Sequence, residues 1–352
     1  MESTGKYWIP IFNCLEKTFS TTVSNPKYVK SINGKKTDKK DSQWIADLFK
    51  HDLVPGNYIS PIELRMLRDL CGYENKPISN RSSEINRVQN SLTVSNIAIA
   101  NVVSDTFGKI ASKIIDYAIS CDTFDPEYCK ILITNKKLKS TPEEIVKSIL
   151  GYNLLPAQAS KIRISKVHLD SIKQSISSLS NAISELADPY LSQIETLQSM
   201  VDITEKSATK IISKIGIDMN VFYSSKRLCS WAGLTPQNNE SAGKKKSSKI
   251  SRADVYLRPL LVQCANAAVK SSGNAYFRNK YLKIKKRRGH KKAIIAIARM
   301  MLTCVYHMLS KGEMFSLSNI NYSDMPKEIF ESRKQTMIRC AIKLLQDQGY
   351  TV

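Results

Sequence analysis

The chain has 352 residues, with 53 Lys and Arg against 31 Asp and Glu, a net charge of +22 and a pI near 9.6. Hydrophobic residues at 42% are enough for ordinary cores, which excludes wholesale disorder, and the length suggests roughly two or three domains. No apolar run reaches the roughly 18 to 20 residues of a membrane span, and residues 1–20 lack the order of a secretory signal, so a cytoplasmic protein with no membrane partner is expected.

Tyr7, Trp8, Ile11, Phe12 and Leu15 fall at helical spacing, with Pro10 tolerable in a first turn. Phe19 to Ser24 is rich in β-formers and stops at Asn25-Pro26. Thr37 stands where it can cap a helix from Asp38 to Lys50, whose apolar side is Trp44, Ile45, Leu48 and Phe49. Helix, strand and helix in this order form a piece of an α/β domain that is too small to be a whole one.

Residues 61 to about 200 read as mainly helical. Ser60-Pro61-Ile62-Glu63 opens a helix, and Cys121 to Leu138, with Pro126 and Lys-rich ends, reads as a connector. Leu169, Ile172, Ile176, Leu179, Ile183, Leu186 and Tyr190 step by three and four residues, the seam of a coiled coil or a long antiparallel helix pair. Asp188-Pro189 restarts the helix, and Ile194, Leu197 and Val201 continue the stripe. This seam serves either internal packing or self-association.

Shorter helices follow. Ala208, Ile211, Ile212 and Ile215 mark one that ends at Gly216. Gln237 to Ser248 reads as a polar loop. Leu257 to Val269 and Ala293 to Leu309 read as apolar helices, the second a core helix because Arg299 sits in its middle. A last helix is expected over about Lys327 to Gln348. The eight cysteines show neither a C-x-x-C pair nor a histidine at ligand spacing, so they read as reduced structural thiols.

The charge is concentrated. Gly243 to Arg299 holds 17 Lys and Arg against one acid, Asp254, and so carries +16 of the total. Its cations include Lys244, Lys245, Lys246, Lys249, Arg252, Arg258, Lys285, Lys286, Arg287, Arg288, Lys291 and Lys292, with Tyr276, Phe277, Tyr281 and His290 interleaved. A local surplus of this kind points to nucleic-acid phosphates, with binding that weakens steeply as salt rises. No base-reading motif accompanies it.

Candidate chemistry rests on few residues. Asp38 and Asp41, three apart at a helix start, share a face. Solvent, the helix dipole, the neighbouring lysines or a divalent metal could each accommodate the pair. Ser241, in Glu240-Ser241-Ala242-Gly243-Lys244, combines a loop position with adjacent cations. That setting suits a nucleophile in phosphoryl transfer and equally suits an ordinary solvent-facing serine.

As a set, Met1-Glu2-Ser3-Thr4-Gly5-Lys6-Tyr7, Val23-Ser24-Asn25-Pro26 and Lys36-Thr37-Asp38-Lys39-Lys40-Asp41 resemble the RuvC-like half of DEDD transposases, the insertion-sequence recombinases of the IS110 type. Trp231-Ala232-Gly233-Leu234-Thr235-Pro236, Ser241-Ala242-Gly243-Lys244, Ile250-Ser251-Arg252, Leu257-Arg258, Gly289-His290-Lys291 and Ala298-Arg299 ahead of Tyr306 resemble the C-terminal half of the same family. The resemblance implies DNA recombination by Mg²⁺-binding acids and a serine that attacks DNA. Carried over, Glu2, Asp38 and Asp41 match the second, third and fourth acids and Ser241 the serine. DNA, a guide RNA and a homo-oligomer, dimer or tetramer, become the expected partners, at the nucleoid of a prokaryotic-type cell.

The architecture so implied is mixed α/β and mainly α. It comprises a partial RuvC/RNase H-like α/β domain over 1–60, a helical coiled-coil region over 61–195, an all-α serine-containing transposase domain over 196–315 and a helix-bearing tail over 316–352. The family's leading acid, usually several dozen residues before E-x-T-G, has no counterpart here, which is expected of a misplaced start or a truncated remnant. The hairpin that usually reads P-G-I-G is Val201-Asp202-Ile203-Thr204, a loss of positive-φ glycines expected to weaken phosphate contact. Ala253-Asp254 likewise departs from the usual turn after the Ile-Ser-Arg run. Two other readings follow: an inert nucleic-acid-binding remnant, and a junction nuclease that uses the acids alone.

Overall fold

The computed structural model describes residues 1–29, 38–121, 123–133, 140–236, 239–241, 244–247, 250, 255–271 and 275–316, with 335, 338, 339 and 342 beyond them. For residues 38, 239–241, 244–247 and 275 it describes the backbone. Thr37, Lys249, Arg252, Ala253-Asp254 and most of the expected last helix lie outside these residues. The chain divides into two compact units, Met1–Met66 with Tyr190–Val352, and Leu67–Pro189.

In the first unit, α1 (Trp8–Leu15), α2 (Pro26–Val29) and α3 (Asp38–Lys50) occupy the N-terminal part. Glu2 and Ser24 form a parallel bridge, with α1 in the connection between them, as in a βαβ unit. Ser3 N–H donates to Ser24 O at 2.8 Å, Ser24 N–H to Met1 O at 2.9 Å and Asn57 N–H to Val23 O at 2.7 Å. The run Phe19–Ser24 thus contributes a bridge and not the expected strand. Val23 and Ser24 are its buried residues, and they carry the backbone pairing to Met1, Ser3 and Asn57. Arg65 fastens α1. Its Nη2 donates to Glu16 Oε1 and Oε2 at 2.5 and 2.8 Å, its Nη1 to Asn13 Oδ1 at 2.7 Å, and its guanidinium lies 5.1 Å from the Phe12 ring centroid. Arg65 belongs to α4 (Ile62–Tyr73), which starts just past Pro61 with Glu63 in its first turn.

The second unit contains α5 (Asn75–Val94), α6 (Lys109–Ser120), α7 (Pro126–Leu132), α8 (Pro142–Lys147) and α9 (Pro156–Ala187). Val88, Leu92, Ile97, Ile114, Cys129, Ile145 and Ile162 centre its core. The stretch read as a connector therefore holds a helix, with Cys129 fully buried. Its start is written locally: Asp125 Oδ1 accepts from Glu127 N–H at 2.9 Å, and Pro126 takes the first helical position. Thr141 and Glu144 cap α8 reciprocally. A helix does run through the expected seam: α9 has 32 residues and packs on α5 in an antiparallel arrangement, Glu84 lying by His168, with Val94 and Gln158 lining one groove. Ile172, Ile176, Leu179 and Ile183 remain only half-buried.

The first unit resumes with α10 (Leu191–Gln198), α11 (Glu205–Ile215), α12 (Ser225–Trp231), β1 (Asn239–Ser241), β2 (Lys244–Ser247), α13 (Leu257–Lys270), α14 (Ala275–Arg288) and α15 (His290–Lys311). Thr204 caps α11 and Ser224 caps α12, and Gly216 closes α11 at φ 74°. α15 is the hub, packed by α10, α12, α13 and α14. It is the one described helix long and apolar enough to cross a membrane by length and composition. Ile294, Ile297, Met301, Leu302 and Val305 are buried against those neighbours, as expected of a core helix. Among the described residues the regular elements are helices apart from one hairpin and two isolated bridges, so the α/β domain expected over residues 1–60 is represented there by a single parallel bridge.

Candidate nucleic-acid interface

The segment expected to be a polar loop folds in part. β1 and β2 pair antiparallel, with Ser241 opposite Lys244, Glu240 opposite Lys245 and Asn239 opposite Ser247, and Pro236 bridges Ile250 below them. The sequence holds no β-branched residue from 239 to 247, so strand propensity gave no signal there. Ser241 is the last residue of β1, with Ala242-Gly243 between it and Lys244. Lys245 and Lys246 follow on β2.

α14 and α15 meet at Gly289, whose φ is 78°. A Cβ there would meet nothing within 4 Å, so the backbone conformation and not crowding favours glycine. Lys285, Lys286, Arg287 and Arg288 form the last turn of α14, where the helix dipole favours cations. Lys291 and Lys292 lie in the first turn of α15, where the dipole opposes them. All six are exposed. Helix stability does not account for cations on both sides of one turn, whereas an external polyanion does. Arg258, half-buried in the first turn of α13, belongs to the same unit.

Underneath, α14 is anchored by aromatics. Phe277 is fully buried and stacks on Phe315 at 6.1 Å, and Phe315 N–H donates to Ser199 Oγ at 2.8 Å. Tyr281 OH and His290 Nδ1 share a 2.8 Å hydrogen bond, and Lys285 Nζ lies 5.6 Å from the Tyr281 ring centroid. Two of the aromatics interleaved with the cations, Phe277 and Tyr281, are therefore core anchors and not exposed stacking platforms. Cys304, against the same helices, has its thiol pushed up to about 12 by burial and by nearby Cys229. No disulfide joins described residues.

The acids lie apart from this surface in sequence. Glu2 is half-buried on the bridge to Ser24, and the neighbouring Met1 amine donates to Thr22 O at 2.6 Å. Burial lowers that amine's pKa, and Glu2 pulls it the other way. Asp38 and Asp41 occupy the first turn of α3, and Asp41 is half-buried. Among the described residues no group of three or more His, Cys, Asp or Glu could hold a metal ion.

Two family models match the chain. One, described as a transposase and built on DEDD members of the IS110 type, matches residues 1–97. The other, described as the transposase IS116/IS110/IS902 family, matches residues 194–282. Together they span just over half of the chain. The chain belongs to the IS110 family of transposases. The comparison with curated proteins gave no match.

In this transposase the second model begins on α10 and crosses the α10–α11 hairpin. Asp202, in place of a glycine, adopts φ 65°, and Thr204 caps the next helix. The expected loss of positive φ has therefore not occurred there: aspartate is one of the few side chains that enter the left-handed region readily. Its Oδ2 is buried with no described partner, and burial raises its pKa. What changes is charge, since a carboxylate now stands on the hairpin. The sequence reading missed α14, the Tyr281–His290 bond and the positive φ of Asp202, although Asn, Asp and Gly at turns were the available signal for the last.

Proposed function

We propose that this transposase recombines insertion-sequence DNA through Ser241. The observation that carries the reading is the hairpin register. Ser241 ends β1 opposite Lys244, at the start of a window with a net +16, within the stretch matched to the transposase family. Ser241 Oγ attacks a DNA phosphorus and an Oγ–P bond forms. The P–O bond to one deoxyribose breaks, and that oxygen takes up a proton as Oγ gives one up. The cations of β2 and of the α14–α15 turn offset the charge of the crowded phosphorane.

Glu2, Asp38 and Asp41 are the residues that would hold Mg²⁺. Carboxylate oxygens are the donors that ion prefers, and the parallel Glu2–Ser24 bridge across α1 supports an α/β setting for them. When bound, the ion polarises phosphate oxygens. The half-buried seam on α9 supports a dimer or tetramer, and the reading includes DNA and a guide RNA as partners in the cytoplasm.

Strand-transfer and covalent-intermediate assays test it. Ser241→Ala is expected to lose both the transfer product and the protein–DNA adduct while keeping DNA binding. Unchanged transfer in that variant overturns the nucleophile role. The exposed cations of the α14–α15 turn, which bind phosphates without any catalytic group, also support a second reading, an inert nucleic-acid-binding protein. Salt-sensitive binding without cleavage at any Mg²⁺ concentration would establish it.

A further inference from the structure

Within the first unit, the short connection between α11 and α12 turns at Tyr223, whose φ is 57°. The other described non-glycine residues at positive φ are Asp52, Asn96 and Asp202, types that enter the left-handed region readily. A tyrosine there is an outlier. Burial of the ring does not explain it, because Tyr223 is 79% exposed. The Arg227 guanidinium lies 5.1 Å from the Tyr223 ring centroid. Trp231 follows Arg227 by four residues, on the same face of α12. It is 47% exposed, and its ring lies 5.4 Å from that of Phe222 at 59°. Residues 214–236 hold Lys214, Lys226 and Arg227 against the single acid Asp218, and Lys226 and Arg227 are exposed.

An aromatic ring, a guanidinium and a second aromatic ring therefore follow one another along an exposed edge. Duplex DNA would meet the cation through its phosphates but leave both rings in water, since its base faces are covered by their own stack. A second copy of this chain could cover the rings, but at a net charge of +22 it would bring like charge to Lys226 and Arg227. An unpaired nucleotide matches both features. Its base offers a flat face to a ring, and its phosphate offers an anion to the guanidinium.

We propose that Tyr223 and Trp231 are stacking platforms for unpaired bases of a nucleic-acid strand, with Arg227 between them on its phosphates. The proposal rests on the reading of the chain as a transposase that recombines DNA, because strands that change partners must part and expose their bases. Trp231 also stands close before Pro236, at the foot of the Ser241 hairpin. Even a fully extended chain of that length spans only about 18 Å, so the platform lies near the proposed nucleophile.

The test is fluorescence anisotropy of the full chain with labelled single-stranded DNA, single-stranded RNA and duplex DNA. Tyr223→Asn suits the left-handed backbone, so its melting temperature is expected not to fall. It is expected to bind single strands about tenfold more weakly while duplex affinity stays within about twofold. Trp231→Leu is expected to show the same selective loss, and Tyr223→Phe, which keeps the ring, to retain most of the affinity. A DNA strand of abasic residues, which keeps its phosphates, is expected to bind the unmodified chain about as weakly as the Tyr223→Asn variant binds an ordinary strand. A loss in one single-stranded arm assigns the bases to that type of strand, and a loss in both assigns them to either.

Single-strand binding that is unchanged in a folded Tyr223→Asn variant overturns the proposal, as does an equal loss on duplex DNA. A change of oligomeric state in that variant without a change in strand binding also overturns it, and gives the edge to a second copy. If no oligomer binds the unmodified chain, the nucleic-acid reading fails together with the platform. If single strands and duplex bind tightly and ignore the ring, only the platform fails.

Discussion

Tyr281 OH and His290 Nδ1 lie 2.8 Å apart across Gly289, with Tyr281 nearly buried and His290 exposed. This bond ties the body of α14 to the first residue of α15. It thereby fixes the angle of a turn whose solvent side carries Lys285, Lys286, Lys291 and Lys292.

Tyr281→Phe keeps the ring and removes this bond. A single hydrogen bond contributes about 1 kcal/mol, so the melting temperature is expected to fall by about 2–4 °C. DNA affinity is expected to fall a few-fold with the slope of log K against log salt unchanged, since no cation is lost. Melting curves and binding titrations at several salt concentrations check both.

Replacing Lys285, Lys286, Lys291 and Lys292 together by Gln has the opposite signature. Each phosphate contact contributes about 0.9 to the salt slope on duplex DNA, so the slope is expected to flatten by up to about 3.6 while the fold holds. A slope that stays put would show that the bound phosphates lie elsewhere on the chain.

Asp202 gives a pH dependence whose sign is set by its raised pKa. Burial disfavours its carboxylate in the folded chain, so this acid stabilises the fold when protonated and loses that contribution as pH rises through its folded-state pKa. Asp202→Asn is therefore expected to melt higher than the unmodified chain at pH 7, with the difference shrinking toward about pH 4. The same change removes a negative charge from the α10–α11 hairpin, and DNA binding at neutral pH is expected to tighten.

Arg65 is expected to govern the N-terminal segment. Arg65→Met breaks a bidentate pair with Glu16 and the bond to Asn13, at a cost of about 2 kcal/mol. Amide exchange on α1 is expected to quicken by an order of magnitude or more. Exchange that does not change would mean that α1 is held by its apolar face alone.

The long elements were legible because periodicity ran through them. α9 follows the seam from Leu169, although it starts earlier, at Pro156, where the apolar spacing is weaker. α3, α11, α13 and α15 fall within a few residues of their expected spans, and Gly216 ends α11 as its type suggests. α14 was hidden because cations fill most of its surface and leave Phe277 and Tyr281 too sparse to mark a face. The β1–β2 hairpin was hidden for want of strand formers. Of the candidate site, the basic surface was legible in the charge count alone. The partner of α9 was not, because facing residues such as Glu84 and His168 lie more than eighty positions apart, a relation that no local pattern records.

The division into units also bears on how the chain comes to exist. Leu67–Pro189 is continuous in sequence, so it can assemble as it leaves the ribosome. Met1–Met66 must wait, because its unit is completed by segments made after all of Leu67–Pro189, and the hub helix α15 comes near the end. During that delay Leu64, buried beside Gly216 in the finished unit, lacks its final cover, and closing so long a loop is slow. Translation speed through the middle of the message is thus coupled to the risk that the N-terminal segment aggregates before its other half arrives.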